Sequence, residues 1–124
     1  MIKTLIISGG AVNGIALIGC LKFLEKKGIL SNITTLWCTS IGSLLGLCLI
    51  LGYNSLFLEK LLIGVDLSLL YNINSNIDNF FVNYGIDDGK NIKILLKNIL
   101  IHKLGRYDIT LLELYEKYGM VFNI

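Results

Sequence analysis

Ile33-Thr34-Thr35-Leu36-Trp37-Cys38-Thr39-Ser40-Ile41-Gly42-Ser43-Leu44-Leu45-Gly46, residues 33–46, changes texture at its centre. Its first six residues are uncharged and rich in β-branched and aromatic side chains, which predicts a strand over Ile33–Cys38. From Ile41 to about Gly52 the run is apolar with repeated small residues, which predicts a buried helix. Thr39-Ser40 is left to make the turn. A sharp strand-to-helix turn flanked by small residues, here Cys38-Thr39-Ser40-Ile41-Gly42, stands one residue from the Gly-x-Ser-x-Gly nucleophile elbow. A serine hydroxyl is a poor nucleophile, and such a turn exposes it above the sheet at a helix N-terminus. The plainer alternative is a serine that only caps a helix.

Upstream the pattern repeats. Lys3–Ile7 predicts a short buried strand, Ser8-Gly9-Gly10-Ala11-Val12-Asn13 a glycine-rich turn, and Gly14–Lys27 a helix stopped by Gly28. Strand, helix, strand, helix with short connections specifies a parallel sheet covered by helices. The glycine turn opens directly into a helix, so its N–H groups and the positive end of the dipole face an anion. A phosphate-binding P-loop is excluded because Ile15 and Ala16 follow Gly14 where Lys and Ser or Thr are needed. A dinucleotide site wants an acid at the end of the second strand, where Cys38-Thr39-Ser40 stands. Taken together, the two turns place N–H donors beside a serine, the arrangement acyl transfer requires.

Beyond Tyr53, short helices are expected over Leu56–Ile63 and Ile77–Tyr84, and a turn cluster over Gly85–Gly89. Asn91–Lys103 is amphipathic, and a last helix is expected over Leu111–Lys117, with Glu113 four residues before Lys117. Met120–Ile124 reads as the start of a strand. A domain does not usually end by beginning a core strand, so residues 1–124 are expected to be one partial domain.

The 124 residues carry a net charge of +2, are 54% hydrophobic and contain no proline, with mean hydropathy +0.70. So small a charge without a basic run argues against nucleic acid as the partner. Cys20, Cys38 and Cys48 lie among apolar neighbours and predict buried thiols in a reducing compartment rather than a disulfide framework. With His102 as the sole histidine, no metal-ligand pattern is present. The stretch between Lys27 and Glu59 is charge-free, yet only Ile41–Tyr53 is mostly apolar, which suits a core helix better than a membrane span. Leu17-Ile18-Gly19-Cys20 has the look of a lipoprotein cleavage site, but Ser8-Gly9-Gly10 and Asn13 interrupt the apolar region a signal peptide needs. Trp37 is expected in the core.

The run Ile6-Ile7-Ser8-Gly9-Gly10-Ala11-Val12-Asn13-Gly14-Ile15-Ala16 resembles the glycine-rich oxyanion motif of the patatin-like phospholipase family, and Thr39-Ser40-Ile41-Gly42-Ser43 resembles its elbow. Tyr84–Gly89 and Asp108–Tyr115 are similar to intervening sequence in bacterial and viral members, so the resemblance covers nearly the whole chain. It implies a three-layer α/β sandwich with a mainly parallel central sheet. It also implies lipid acyl hydrolysis of phospholipids or acylglycerols at a membrane or micelle surface, in the cytoplasm or peripherally on membranes. A Ser-Asp dyad would carry the chemistry, with Ser40 as nucleophile, Gly9, Gly10, Ala11, Gly14 and Ile41 around the oxyanion, and no metal or organic cofactor. On that template the N–H groups of Gly10 and Ala11 are the first expected donors and that of Ile41 a third. The family's aspartate sits in an Asp-Gly-Gly or Asp-Gly-Ala motif beyond Ile124. Within the chain Asp88, before Gly89, is the alternative base and His102 a weaker one. Three departures stand out: Ala11 replaces a third glycine, Asn13 a basic residue, and Cys38 the first elbow glycine. Cys38 puts a sulfur where strand and helix approach closely, which predicts a looser elbow. A non-catalytic lipid- or partner-binding relative and a small membrane protein are the competing readings.

Overall fold

The computed structural model describes residues 1–10, 13–65 and 89–124. In chain order these form β1 (Thr4–Ile7), α1 (Gly14–Lys26), a single 3-10 turn (Leu30–Asn32), β2 (Thr35–Cys38), α2 (Ile41–Ile50), α3 (Ser55–Gly64), α4 (Lys90–Leu104), α5 (Leu111–Tyr118) and β3 (Val121–Asn123). The chain divides into two compact units, Met1–Val65 with Asp108–Ile124, and Asp66–Tyr107. The expected helix over Ile77–Tyr84, most of the Gly85–Gly89 turn, Ala11 and Asp88 lie outside the described residues.

The first unit is α/β. Its three strands are parallel in the order β1-β2-β3, with Ile6 opposite Trp37 and Leu36 opposite Phe122. Met120–Ile124, read as the start of a strand, supplies β3 beside β2. Strand residues alternate faces, and burial follows. Ile7, Leu36 and Cys38 are buried on the helix-covered face, while Ile6 and Trp37 on the other are 74% and 54% exposed. The expectations of a fully buried first strand and a core Trp37 are thereby corrected. An uncharged apolar run is compatible with either one covered face or two, and here one is covered.

Both early helices stop by the same device. Gly28 and Gly52 adopt φ of 68° and 76°, which costs a glycine no Cβ clash. Gly28 N–H donates to the Glu25 carbonyl and Ile29 N–H to that of Leu24, while Gly52 and Tyr53 donate to Leu49 and Cys48. Each is a Schellman motif that satisfies carbonyls the helix leaves orphaned. α1 and α3 run antiparallel, pinned by Lys22 Nζ to Glu59 Oε2 at 2.7 Å and by Glu25, whose carboxylate accepts from the Ser55 N–H at 3.0 Å and from its hydroxyl. Leu36, Leu45, Leu51, Leu58 and Cys48 form the fully buried centre, each leucine contributing about 1.5–3 kcal/mol. α2, apolar all round, has ten residues, or about 15 Å. Among the described residues no helix is long and apolar enough to cross a membrane.

α5 opens with a capping box, the Thr110 hydroxyl accepting from the Glu113 N–H and the Glu113 carboxylate accepting from the Thr110 N–H at 2.7 Å. In the second unit α4 lies between Gly89 and Gly105, both left-handed. There the Lys97 ammonium stands 4.2 Å from the Tyr107 ring centre.

Candidate active site

β2 runs straight into α2 through Thr39 and Ser40, and the backbone reverses within those two residues. Thr39 N–H donates to the Ile7 carbonyl at 3.1 Å, tying the turn to the end of β1. Gly42 and Ser43 N–H donate back to the Thr39 and Ser40 carbonyls at 2.9 and 2.8 Å. Closing so tightly forces Ser40 to φ 55°, ψ −126°, and it is the one non-glycine among the described residues with positive φ. A residue held there is strained by on the order of 1–3 kcal/mol, and such strain persists only where surrounding structure enforces it.

Gly42 shows how. A Cβ at that position would lie 2.7 Å from the Ser8 carbonyl oxygen and nearer still to that of Ile7. The first turn of α2 is therefore pressed directly onto the end of β1. Ser40 occupies the N-cap position of α2, yet its side chain makes no capping hydrogen bond. The plain capping role does not describe it.

The glycine turn meets this elbow. A Cβ on Gly9 would stand 3.2 Å from Ser40 Cβ and 3.9 Å from its Oγ, and one on Gly14 would stand 2.9 Å from Ile41 Cγ1. Asn13 N–H donates to the Gly10 carbonyl at 2.8 Å, closing the turn. Within the described residues, the N–H groups of Gly9, Gly10 and Ile41 have no acceptor. The fold thus brings together Gly9, Gly10, Gly14, Cys38, Thr39, Ser40, Ile41 and Gly42. A hydroxyl on a strained turn, next to backbone donors that no described residue claims at a helix N-terminus, has the parts for attack on a carbonyl and for holding the resulting oxyanion. His102 is exposed on the last turn of α4, in the second unit.

Cys38 is buried, with its sulfur against Gly46 of α2, where an added Cβ would lie 2.5 Å from Sγ. The helix carries a glycine opposite the sulfur, which gives Cys38 its room beside the sharp turn at Ser40. Burial pushes this thiol up to about 11 and that of Cys48 up to about 12, so neither competes as a thiolate nucleophile at neutral pH. Cys20 departs from the expected burial. It is exposed on α1, and all three thiols are free.

Gly46 beside the elbow escaped the sequence reading, although its isolated position inside a helical pattern is a signal that often marks close packing. Ser43 stands in the elbow motif, but no signal in the sequence assigned its hydroxyl a role. Its Oγ is buried without a hydrogen-bond partner among the described residues, at a cost of roughly 1–3 kcal/mol.

A cavity of about 300 Å³ lies at the opposite end of the sheet, lined by Leu5, Ile33, Leu36, Leu49, Met120 and Glu25 among others. It sits at the starts of the strands, whereas Ser40 follows the end of β2, so the cavity does not open onto the elbow.

No curated protein and no solved structure matches the chain. The sequence model of the Patatin-like phospholipase family matches residues 5–115, a span that includes both turns. On that match, with the α/β unit and its parallel sheet, the chain belongs to the patatin-like phospholipase family.

Proposed function

We propose that this chain supplies the nucleophile and oxyanion-binding part of a serine lipid acyl hydrolase acting on phospholipid or acylglycerol esters. The reading is carried by Ser40 itself, strained, uncapped and bordered by the glycine turn. Its Oγ attacks the ester carbonyl carbon while its proton passes to a carboxylate. The carbonyl oxygen becomes an oxyanion held by N–H groups from the Gly9–Gly14 turn and from Ile41, each donor worth on the order of 100-fold or more in rate. Collapse expels the alcohol, which takes up the proton. Water then attacks the acyl-serine by the same route and releases the fatty acid. The carboxylate is that of an aspartate, with Asp88 the candidate within residues 1–124. The substrate is met at a membrane or micelle surface.

A fluorophosphonate probe applied to the full-length protein tests this. It labels Ser40 in the wild type and nothing in Ser40→Ala, and long-chain ester hydrolysis disappears with the label. Labelling or turnover that survives in Ser40→Ala moves the nucleophile elsewhere. A folded wild type with neither label nor turnover supports the non-catalytic, lipid-binding alternative.

A further inference from the structure

α1 is an unusual surface helix. It buries Gly14, Ile18 and Leu21, yet the side turned to solvent carries Ile15, Ala16, Gly19, Cys20 and Phe23, with Lys22 at its edge paired to Glu59 of α3. Surface helices ordinarily place polar residues there. Ile15 and Phe23 are 48% and 58% exposed, and the antiparallel α3 adds Leu56 at 52% and Ile63 at 66%. Ile15, Gly19 and Phe23 are four residues apart and share one face.

The charges of the same two helices have one dominant sign. Lys22, Lys26, Lys27 and Lys60 stand against Glu25 and Glu59. Both carboxylates are engaged within the helix pair, Glu59 by Lys22 and Glu25 by Ser55. Among the described residues no carboxylate pairs with Lys26, Lys27 or Lys60. Lys27 instead holds its ammonium 5.7 Å from the Phe23 ring centre, a long stem beside an apolar side chain with its charge at the margin.

We propose that the outer face of α1 and α3 docks on an anionic lipid surface, and so delivers the elbow to its substrate. The apolar side chains enter the interface while Lys26, Lys27 and Lys60 meet anionic headgroups. α1 begins at Gly14, which packs against Ile41, so a membrane lying along α1 reaches the mouth of the turn that holds Ser40. A second copy of the chain fits this face poorly, because a two-fold contact sets like-charged lysines against one another. The delivery role rests on the hydrolase reading, whereas the docking itself does not.

The test is co-sedimentation of the full-length protein with phosphatidylcholine vesicles, with and without about one third phosphatidylglycerol. Binding is expected to the mixed vesicles, with marked loss as salt rises and little binding to phosphatidylcholine alone. Each lysine near an anionic surface is worth about fivefold in partitioning, so Lys26→Gln/Lys27→Gln should weaken binding by about 25-fold. Phe23→Ser should weaken it as well. Both variants should keep their melting behaviour and their turnover of a soluble short-chain ester, and Ser40→Ala should bind vesicles like the wild type. Equal binding to both vesicle types overturns the proposal, as does binding that neither variant changes, or a dimer that Phe23→Ser dissolves. Esterase activity without vesicle binding refutes this surface alone; vesicle binding without esterase activity refutes the hydrolase alone.

Discussion

Replacing Gly46 by alanine sets two effects of opposite sign against each other inside α2. In an ordinary helix interior the change is favourable by roughly 0.5–1 kcal/mol, because alanine has less backbone freedom to lose. Here the new methyl would lie 2.5 Å from Cys38 Sγ and 3.1 Å from the Phe122 ring. Real Cβ atoms do not approach sulfur so closely, and both neighbours are strand residues with little room to retreat. Overpacking of this kind costs about 1–3 kcal/mol, so Gly46→Ala should destabilise the protein by a net of roughly 0.5–2 kcal/mol. Cys38→Ala removes the sulfur but keeps its Cβ, which stands 3.6 Å from the position of the added methyl, an ordinary contact. In the double variant Cys38→Ala/Gly46→Ala the methyl occupies space the sulfur has left. The two changes should therefore couple favourably, by about 1–3 kcal/mol. Denaturant unfolding of wild type, both single variants and the double variant measures that coupling. Additive effects, or a Gly46→Ala protein that gains stability as an average helix would, refute the packing argument.

Ser40→Gly should raise stability by on the order of 1–3 kcal/mol by releasing the strained backbone while removing fluorophosphonate labelling; unchanged or lower stability in unfolding experiments contradicts the strain. Ser43→Ala should be neutral or stabilising because it deletes a buried hydroxyl without a partner, and a clear loss of stability in the same assay shows a hydrogen bond the hydroxyl makes. The Cys38 and Cys48 thiols, raised from 9.0 to about 11 and about 12, are kept protonated by folding. Above about pH 9 the unfolded chain loses these protons first, so their contribution to stability is complete below pH 9 and declines as pH rises toward 11–12. Melting curves across that range check the sign, and Cys48→Ala should flatten the alkaline slope. In the native protein an aromatic disulfide reagent should titrate Cys20 alone, and rapid reaction of three thiols contradicts the burial of the other two.

Local chemistry made much of this protein readable in its sequence. Gly28 marks a helix stop because few other residues tolerate positive φ, and that stop forms as read, while Gly52, near the expected end of the next helix, adopts the same conformation. Thr110 with Glu113 states a helix start in two side chains. The passage from β-branched residues to small apolar ones at Cys38–Gly42 specifies a strand turning into a helix, and together with the glycine run at Ser8–Gly14 it carries the resemblance to the family. These signals depend on neighbours within a few positions, so no distant contact is needed to interpret them.

Other features arise only when distant segments meet. Strand pairing begins at Thr35 rather than Ile33, because Leu30–Asn32 form a turn whose last hydrogen bond uses the Ile33 N–H, and Thr34 and Thr35 both donate to the Lys3 carbonyl. Trp37 and Leu36 are adjacent and similarly apolar, yet one is exposed and the other buried, since the pleat sends them to opposite faces and helices cover one. The tolerance of Cys38 in the elbow depends on Gly46, a turn and a half further along α2. Ser40 is a serine in any conformation. What sets it apart is the φ of 55°, imposed where Gly42 lets the helix press against the Ile7 and Ser8 carbonyls, a contact that exists only once β1 and β2 lie side by side.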